Sequence, residues 1–234
     1  MNEVLAISSF VLGSATILLF AYFGRTFLFA FSAFIIVATN ATVGIQVELF
    51  GFSVSWGVIL YSLVYLITDM LSEFYEKNAA YKLALSNLAI QVAFWAYIFL
   101  TLPVDNVATT SLFSALEELY AVTPRITIAA IVAALGAFVD IWVYEKIRSW
   151  AMQKRSVFAD LWFRNNVSTF LGQSVNTVLF FGIALWGVVP NIWEIIGGAI
   201  AFKWAIAVAD TPILYMARGL FMKGAVPATD RDKP

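Results

Sequence analysis

The sequence predicts an all-α, polytopic integral membrane protein with seven transmembrane helices, and three properties of its composition support this. Hydrophobic residues make up 62% of the 234 residues, whereas soluble domains hold about 45–50%. Charged residues make up only 12%, against about 25% in soluble domains. The mean hydropathy is +0.85. A soluble core of this size cannot hide so much apolar surface, which excludes soluble enzymes, nucleic-acid binders and disordered proteins.

Seven apolar stretches are long enough to cross the hydrocarbon core, which takes about 20 residues of helix. They lie at roughly 4–23, 26–47, 54–75, 80–102, 125–147, 166–188 and 192–215. The first follows an acidic start and is too long for a signal peptide, so we expect a retained helix. Short breaks separate most of the others: Gly24-Arg25, Gly51-Phe52-Ser53, Glu76-Lys77-Asn78 and Pro190-Asn191. In the longer connection at 103–124, Ser114 and Glu117 have capping-box spacing, which predicts a short surface helix.

Basic residues determine the predicted orientation. One side of the membrane collects twelve Lys and Arg residues, the other collects only Arg125, and Lys203 is left inside span seven. By the positive-inside rule, the N-terminus is outside and the C-terminus is cytoplasmic. We therefore expect a single seven-helix domain over residues 1–224 in the cell (inner) membrane, with a short cytoplasmic tail over 225–234.

Two missing residue types narrow the chemistry. The chain has no Cys and no His, so it has no thiolate nucleophile, no HExxH zinc site and no Ser-His-Asp triad. Neither a Gly-x-Gly-Asp protease motif nor a phosphate-binding loop is present. We expect no enzyme activity, no catalytic residues, no metal and no cofactor.

Acidic residues recur in the inner halves of three spans. Spans three, five and seven carry Asp69, Asp140 and Asp210 at a spacing that predicts a common depth. Glu73 follows Asp69 by one helical turn and shares its face. Ionisable groups in the hydrocarbon are costly and are usually functional. The simpler alternative, in which each carboxylate reaches water near the surface, fits one such residue better than three.

Span six carries a polar stripe. Asn166, Thr169, Gln173 and Asn176 follow helical spacing on an otherwise apolar helix, and a helix surrounded by lipid would have no such stripe. The alternative is adhesion between helices through amide hydrogen bonds. Four residues beside acidic helices favour a polar cavity, which Gln91 of span four and Asn40 of span two would join near the midplane.

Lys203 lies near the centre of span seven, too far from either helix end to reach water by extending its side chain. It needs an anionic or carbonyl partner, and we expect Asp69 or Asp140 from a neighbouring helix. Asp210 lies on the same stripe, but the lysine leans away from it, toward the helix N-terminus. Pro212 removes a backbone N–H, which predicts a kinked or broken helix of the kind from which transporters build binding sites.

Several short motifs resemble one family. They are Asn40, Val47-Glu48-Leu49-Phe50-Gly51, Thr68-Asp69-x-x-Ser72-Glu73-x-Tyr75, Arg164-Asn165-Asn166-x-Ser168-Thr169 and Asp210-Thr211-Pro212-x-x-Tyr215. In this order, from about residue 24 to residue 216, they are similar to the queuosine precursor transporter family, also called the vitamin uptake transporter family. That resemblance implies import of a 7-deazaguanine-type base and adds Arg164 to the candidate site. The chain departs from the family pattern at Ile45, Glu76, Gly136-Ala137 and Asn176, so the resemblance supports a transporter more firmly than it supports this substrate.

A planar, purine-like base fits the polar groups. Its N–H donors suit a buried carboxylate, its carbonyl suits a lysine or an amide, and aromatic rings can stack on its faces. Tyr61, Phe180 and Trp204 are the stacking candidates. We expect this small molecule and membrane lipids as partners, no nucleic acid, and a chain that is free to form a homo-oligomer.

Other classes compete with this interpretation. A transporter or a substrate-binding subunit for another planar solute or vitamin has the same features, and a separate ATP-driven module could power it. A retinal-binding photoreceptor also has seven helices and a lysine in the last one. Ala199 stands where such proteins carry an Asp, which weighs against that alternative. A membrane-embedded enzyme or a structural subunit is the remaining rival.

Overall fold

A computed structural model describes residues 1–42, 45–75, 78–101, 123–154, 161–187 and 191–222. Within these ranges the chain forms eight helices and one hairpin. The elements are α1 Asn2–Phe23, α2 Arg25–Thr42, β1 Gln46–Leu49, β2 Phe52–Ser55, α3 Gly57–Phe74, α4 Ala79–Thr101, α5 Thr123–Ala133, α6 Leu135–Lys154, α7 Leu161–Ala184 and α8 Ile192–Met222. The predicted surface helix and cytoplasmic tail lie outside the described residues.

The seven predicted spans are confirmed, because seven helical segments are long and apolar enough to cross a membrane. Helices α5 and α6 form one of them, with a single-residue turn at Ala134. Helix α3 lies at the centre of the bundle: 72% of its spanning window is buried, against 28% in α1. Large apolar side chains such as Leu12, Phe34 and Leu100 are exposed on the outer helices, where lipid would cover them.

A β-hairpin replaces the predicted end of span two and start of span three. Strands β1 and β2 pair antiparallel, with Leu49 opposite Phe52. The two turn residues Phe50 and Gly51 have φ of 51° and 82°, the positive values that a type I′ turn requires. Predicting helix to residue 47 and from residue 54 was therefore wrong. In each four-residue strand apolar and polar residues alternate, and Leu49 and Val54 are buried on the same face of the hairpin. This alternation is the periodicity of a strand and not of a helix.

Three other boundaries differ from the predicted ones. Helix α6 continues to Lys154, and α7 begins at Leu161, five residues before the predicted start of span six. Helix α8 continues through Pro212 to Met222, so the predicted break does not occur. Proline costs the helix only one backbone hydrogen bond, and neighbouring helices and hydroxyl side chains tolerate that inside a membrane.

Two glycines bring α6 and α7 into backbone contact. A Cβ on Gly136 would lie 2.5 Å from the carbonyl oxygen of Gly172 and 2.6 Å from the Cβ of Asn176. A Cβ on Gly172 would lie 2.5 Å from the Cβ of Asp140. Small residues let membrane helices approach this closely. The contact places Asp140 directly against the polar stripe of α7.

Candidate substrate cavity and buried polar network

A cavity lies inside the bundle, in the half of α3 nearest the hairpin. The volume of the cavity is about 90 Å³, several times what one water molecule needs. Most of its wall is apolar. Its polar lining residues are Thr39, Asn40, Ser55, Tyr61, Thr68, Asn87, Gln91, Asn176, Thr177 and Lys203.

Two pairs of polar side chains join α2 to α4 beside the cavity. The Nδ2 of Asn40 donates to the Oε1 of Gln91 at 2.9 Å, and the Nε2 of Gln91 donates back to the Oδ1 of Asn40 at 2.8 Å. Two turns away, Ser32 and Asn87 exchange hydrogen bonds at 3.1 and 2.8 Å. The structure thus places Asn40 and Gln91 side by side at the cavity. Asn87 was missed, although it lies one turn from Gln91 on the same helix face.

Lys203 contacts the cavity from the opposite wall. Its Nζ donates to the Oδ1 of Asn176 at 2.8 Å and lies 5.8 Å from the centroid of the Tyr61 ring. Within the described ranges, no carboxylate lies within 4 Å of this ammonium. The expectation that Asp69 or Asp140 pairs with Lys203 was therefore wrong. Asp69 and Asp140 lie beyond the cavity, toward the C-terminal end of α3, and the side-chain amide of Asn176 on α7 is the group beside the ammonium.

Two of the three aromatic stacking candidates lie at the cavity and the third does not. Tyr61 and Phe180 line the cavity, so both can contact a bound ring. Trp204 does not line it, is 41% exposed, and stacks on Phe170 with ring centroids 4.9 Å apart. Placing Trp204 at the site was wrong, because it faces away from Lys203, its neighbour in sequence.

The three aspartates gather beyond the cavity, toward the C-terminal end of α3. Asp69, Asp140 and Asp210 are 1%, 0% and 1% exposed, respectively. Thr169 donates to the Oδ2 of Asp69 at 3.2 Å, and Asp140 packs against Gly172, about one turn further along α7. The three carboxyl groups thus lie in one region of the bundle, beside α7. Thr68 links the two regions, since it lines the cavity and lies 3.5 Å from the Oδ2 of Asp140.

Past the aspartates, an ion pair joins α3 to α7. Arg164 contacts Glu73 in a salt bridge, and the hydroxyl of Tyr144 donates to Glu73 at 2.8 Å. The Nε of Arg164 also donates to the Tyr144 hydroxyl oxygen at 3.1 Å. This triad ties α3, α6 and α7 together. Sequence reasoning did not place Tyr144 at the site, and no spacing rule would have paired it with Glu73.

The polar stripe of α7 faces the interior along its whole length. Its residues contact three different neighbours: Asn166 donates to Thr211 at 2.9 Å, Thr169 donates to Asp69, and Asn176 accepts from Lys203. Gln173 lies between them, fully buried, with neither amide atom hydrogen-bonded to a described residue. The structure therefore divides the predicted site. Asn40, Gln91, Asn176 and Lys203 line the cavity, whereas Asp69, Glu73, Asp140, Arg164, Asn166, Gln173 and Asp210 lie outside its lining.

The family described as "Putative vitamin uptake transporter" matches residues 55–217. The match runs from the end of β2 through most of α8, and so contains the three aspartates, the α7 stripe and Lys203. The chain belongs to this family. A member of the putative vitamin uptake transporter family is a multi-pass membrane protein that moves a small molecule, which confirms a transporter rather than an enzyme. The family assignment also removes the photoreceptor alternative.

Two named relatives resemble the chain over most of its length. A "Probable queuosine precursor transporter" of Bacillus subtilis (strain 168) is 28% identical over 211 residues, covering 86% of this chain and 88% of the relative. A "Queuosine precursor transporter" of Escherichia coli (strain K12) is 26% identical over 157 residues, covering 67% of this chain and 66% of the relative. No solved structure matches the chain.

Proposed function

We propose that this protein imports a queuosine precursor, a 7-deazaguanine-type base, into the cytoplasm. The observation that carries the proposal is the composition of the cavity wall, in which four amides, a lysine and a tyrosine ring face one apolar space. The names of the Bacillus subtilis and Escherichia coli relatives support the same substrate.

The wall offers complementary groups for a planar base. Asn40 and Gln91 now satisfy each other, and each amide presents both a donor and an acceptor, as the edge of a guanine-like base does. Lys203 can donate to a ring carbonyl, and Tyr61 and Phe180 can pack on a ring face. A ligand that exchanges hydrogen bonds with the amide pair leaves no buried polar group unsatisfied.

The charge asymmetry supports an orientation with the N-terminus outside, in the inner membrane of the cell. The cavity then lies in the outer half of the bundle, and the Glu73–Arg164–Tyr144 triad lies between it and the cytoplasm. In this orientation the triad lies on the cytoplasmic side of the cavity, the side that an importer keeps closed before its substrate binds. The partners in this account are the base and lipids, without nucleic acid. A homo-oligomer is compatible with it.

The tRNA of a defined mutant strain gives a test of this function. Cells that cannot make 7-deazaguanine bases but retain the later steps should recover queuosine-modified tRNA from external base when they carry this gene. Cells with the empty vector should not. Expression without recovery would contradict the proposal.

A second candidate is transport of another small planar solute or vitamin, which the description of the matching family favours. Competition separates the two. Excess unlabelled 7-deazaguanine base should abolish uptake of its labelled form, whereas an unrelated vitamin should leave it unchanged. Uptake of the vitamin alone would retain the transporter and replace its substrate. Reconstituted vesicles free of ATP decide whether the chain acts without a separate ATP-driven module.

A further inference from the structure

The three aspartates next to the cavity differ from Glu73, the partly buried acidic residue further along α3, in having no cation beside them. Glu73 is neutralised by Arg164. In the part of the chain that the structure describes, no Lys or Arg nitrogen lies within 4 Å of Asp69, Asp140 or Asp210. Three unpaired negative charges in a dry interior would carry a large desolvation cost, and buried carboxyl groups in that position take up a compensating charge.

Hydrogen-bond donors are also too few around these carboxyl groups. A hydroxyl has one proton to donate. Thr68 gives its proton to the carbonyl of Tyr65 at 2.7 Å, so its 3.5 Å contact with the Oδ2 of Asp140 has no proton from the threonine. On α7, Thr169 gives its proton to Asp69, and Ser168 donates to the carbonyl of Asn165 at 3.1 Å.

Unpartnered oxygens confirm the shortage. The Oδ1 of Asp140 and both carboxyl oxygens of Asp210 have no hydrogen-bond partner among the described residues. Asn165 lies beside Asp210, but the geometry leaves both oxygens free. A proton on the Oδ2 of Asp140 would donate to the hydroxyl oxygen of Thr68. A proton on Asp210 would remove a buried charge that no donor stabilises. Protonation therefore relieves the shortage of donors at both carboxyl groups.

We propose that Asp69, Asp140 and Asp210 form a proton-binding site that couples import to the proton gradient. The inference rests on the proposed function and adds its driving force. A proton enters from the outer side and binds one of the carboxylates while the base occupies the cavity. It leaves to the cytoplasm with the base, which is chemically unchanged, so one positive charge crosses with each neutral base. Thr68 is the contact between the two sites, because it lines the cavity and touches Asp140.

The surroundings favour a proton over a metal ion. Among the described residues, no three acidic side chains converge closely enough to hold a metal. The titratable and charged groups that face the site are Tyr65 and Glu73 on α3, Tyr144 on α6, and Arg164 on α7. Arg164 is paired with Glu73. On α8, Lys203 lies about two turns from Asp210 and donates to Asn176. None of these groups supplies the three aspartates with a direct cation.

Purified protein in ATP-free lipid vesicles tests the proposal with labelled 7-deazaguanine base. Exchange of external label for internal unlabelled base, at equal pH on both sides, measures the transport function without any driving force. An inward proton gradient of one pH unit should then accumulate the base, by up to about tenfold for one proton per base. An inward sodium gradient should have no effect. Asp210→Asn should lose the response to the proton gradient, whereas Glu194→Gln, a carboxylate at the start of α8, should keep it.

The outcomes separate the two proposals. Normal exchange without proton-driven accumulation, or with accumulation driven by sodium, overturns the proton site and leaves the transporter intact. No exchange at all overturns the proposed substrate. In that case, infrared spectra of the wild-type protein still decide the inference. A carboxylic acid carbonyl band at neutral pH that disappears in Asp210→Asn or Asp140→Asn supports a bound proton, and the absence of such a band contradicts it.

Discussion

Lys203 makes the contact that most directly ties one residue to the cavity. We predict that Lys203→Met lowers uptake at least about tenfold, because a hydrogen bond to a charged group contributes about 1.5–3 kcal/mol. The same change should also destabilise the protein, because it leaves the Oδ1 of Asn176 buried without a donor. Adding Asp69→Asn or Asp140→Asn should not restore the lost stability, since neither aspartate pairs with the lysine. Adding Asn176→Leu should restore only part of the lost stability, because that change removes the acceptor left without a donor but also the Nδ2 that donates to the carbonyl of Ala133. Thermal unfolding in detergent and uptake in cells measure the two effects, with Lys82→Met, an exposed lysine on α4, as the control.

The ion pair beyond the aspartates gives a second prediction for single residues. Arg164→Gln should destabilise the protein by about 3 kcal/mol, since it leaves Glu73 partly buried without its cation, with the Tyr144 hydroxyl still donating to it. Glu73→Gln combined with Arg164→Gln should recover most of that loss, because both charges are then gone. A double variant no more stable than Arg164→Gln alone, in the same unfolding assay, would show that the pair does not hold α3 to α7.

Sequence reasoning predicted individual polar positions well and predicted their pairing poorly. Helical spacing placed Thr169 and Asn176 on one buried face of α7, and the structure agrees. The choice between Asn176 and an aspartate as the partner of Lys203 depends on how α7 and α8 are rotated against each other. A single sequence carries no such information, because periodicity determines a face of one helix and not the face that it meets.

At the scale of the elements, the seven spans were predictable and the hairpin was not. Twenty apolar residues in a row have few alternatives to a transmembrane helix. Strands β1 and β2 are four residues each and continue the apolar runs of α2 and α3. Periodicity over four residues does not separate a strand from a helix, and the turn signal came from Gly51, which was taken as a break between helices.

The close approach of α6 and α7 gives a test of helix packing. We predict that Gly172→Ala disrupts the pair, since the added Cβ would meet the Cβ of Asp140 and the backbone of Gly136. The matched control is Gly182→Ala on the same helix, where a Cβ meets nothing within 4 Å. The first variant should lose folded protein in size-exclusion chromatography from detergent, and the second should keep it. Equal yields would mean that the α6–α7 contact tolerates a wider spacing.

For the whole molecule, the charge asymmetry predicts which ends face the cytoplasm. A cysteine introduced at Ser111 should react with an impermeant maleimide in intact cells, and one introduced at Ser156 should react only after the cells are opened. The chain has no native cysteine to interfere. The reverse labelling would invert the orientation and place the cavity in the cytoplasmic half of the bundle.

Binding of the base to the purified protein tests the central claim, that the cavity between the Asn40–Gln91 pair and Lys203 holds the substrate. Labelled 7-deazaguanine base should bind the wild-type protein saturably and be displaced by the unlabelled base. The variant Asn40→Leu/Gln91→Leu should stay folded, since both partners of the amide pair are replaced together, and should lose at least about tenfold in affinity. A folded double variant that binds the base as tightly as the wild type would contradict the account.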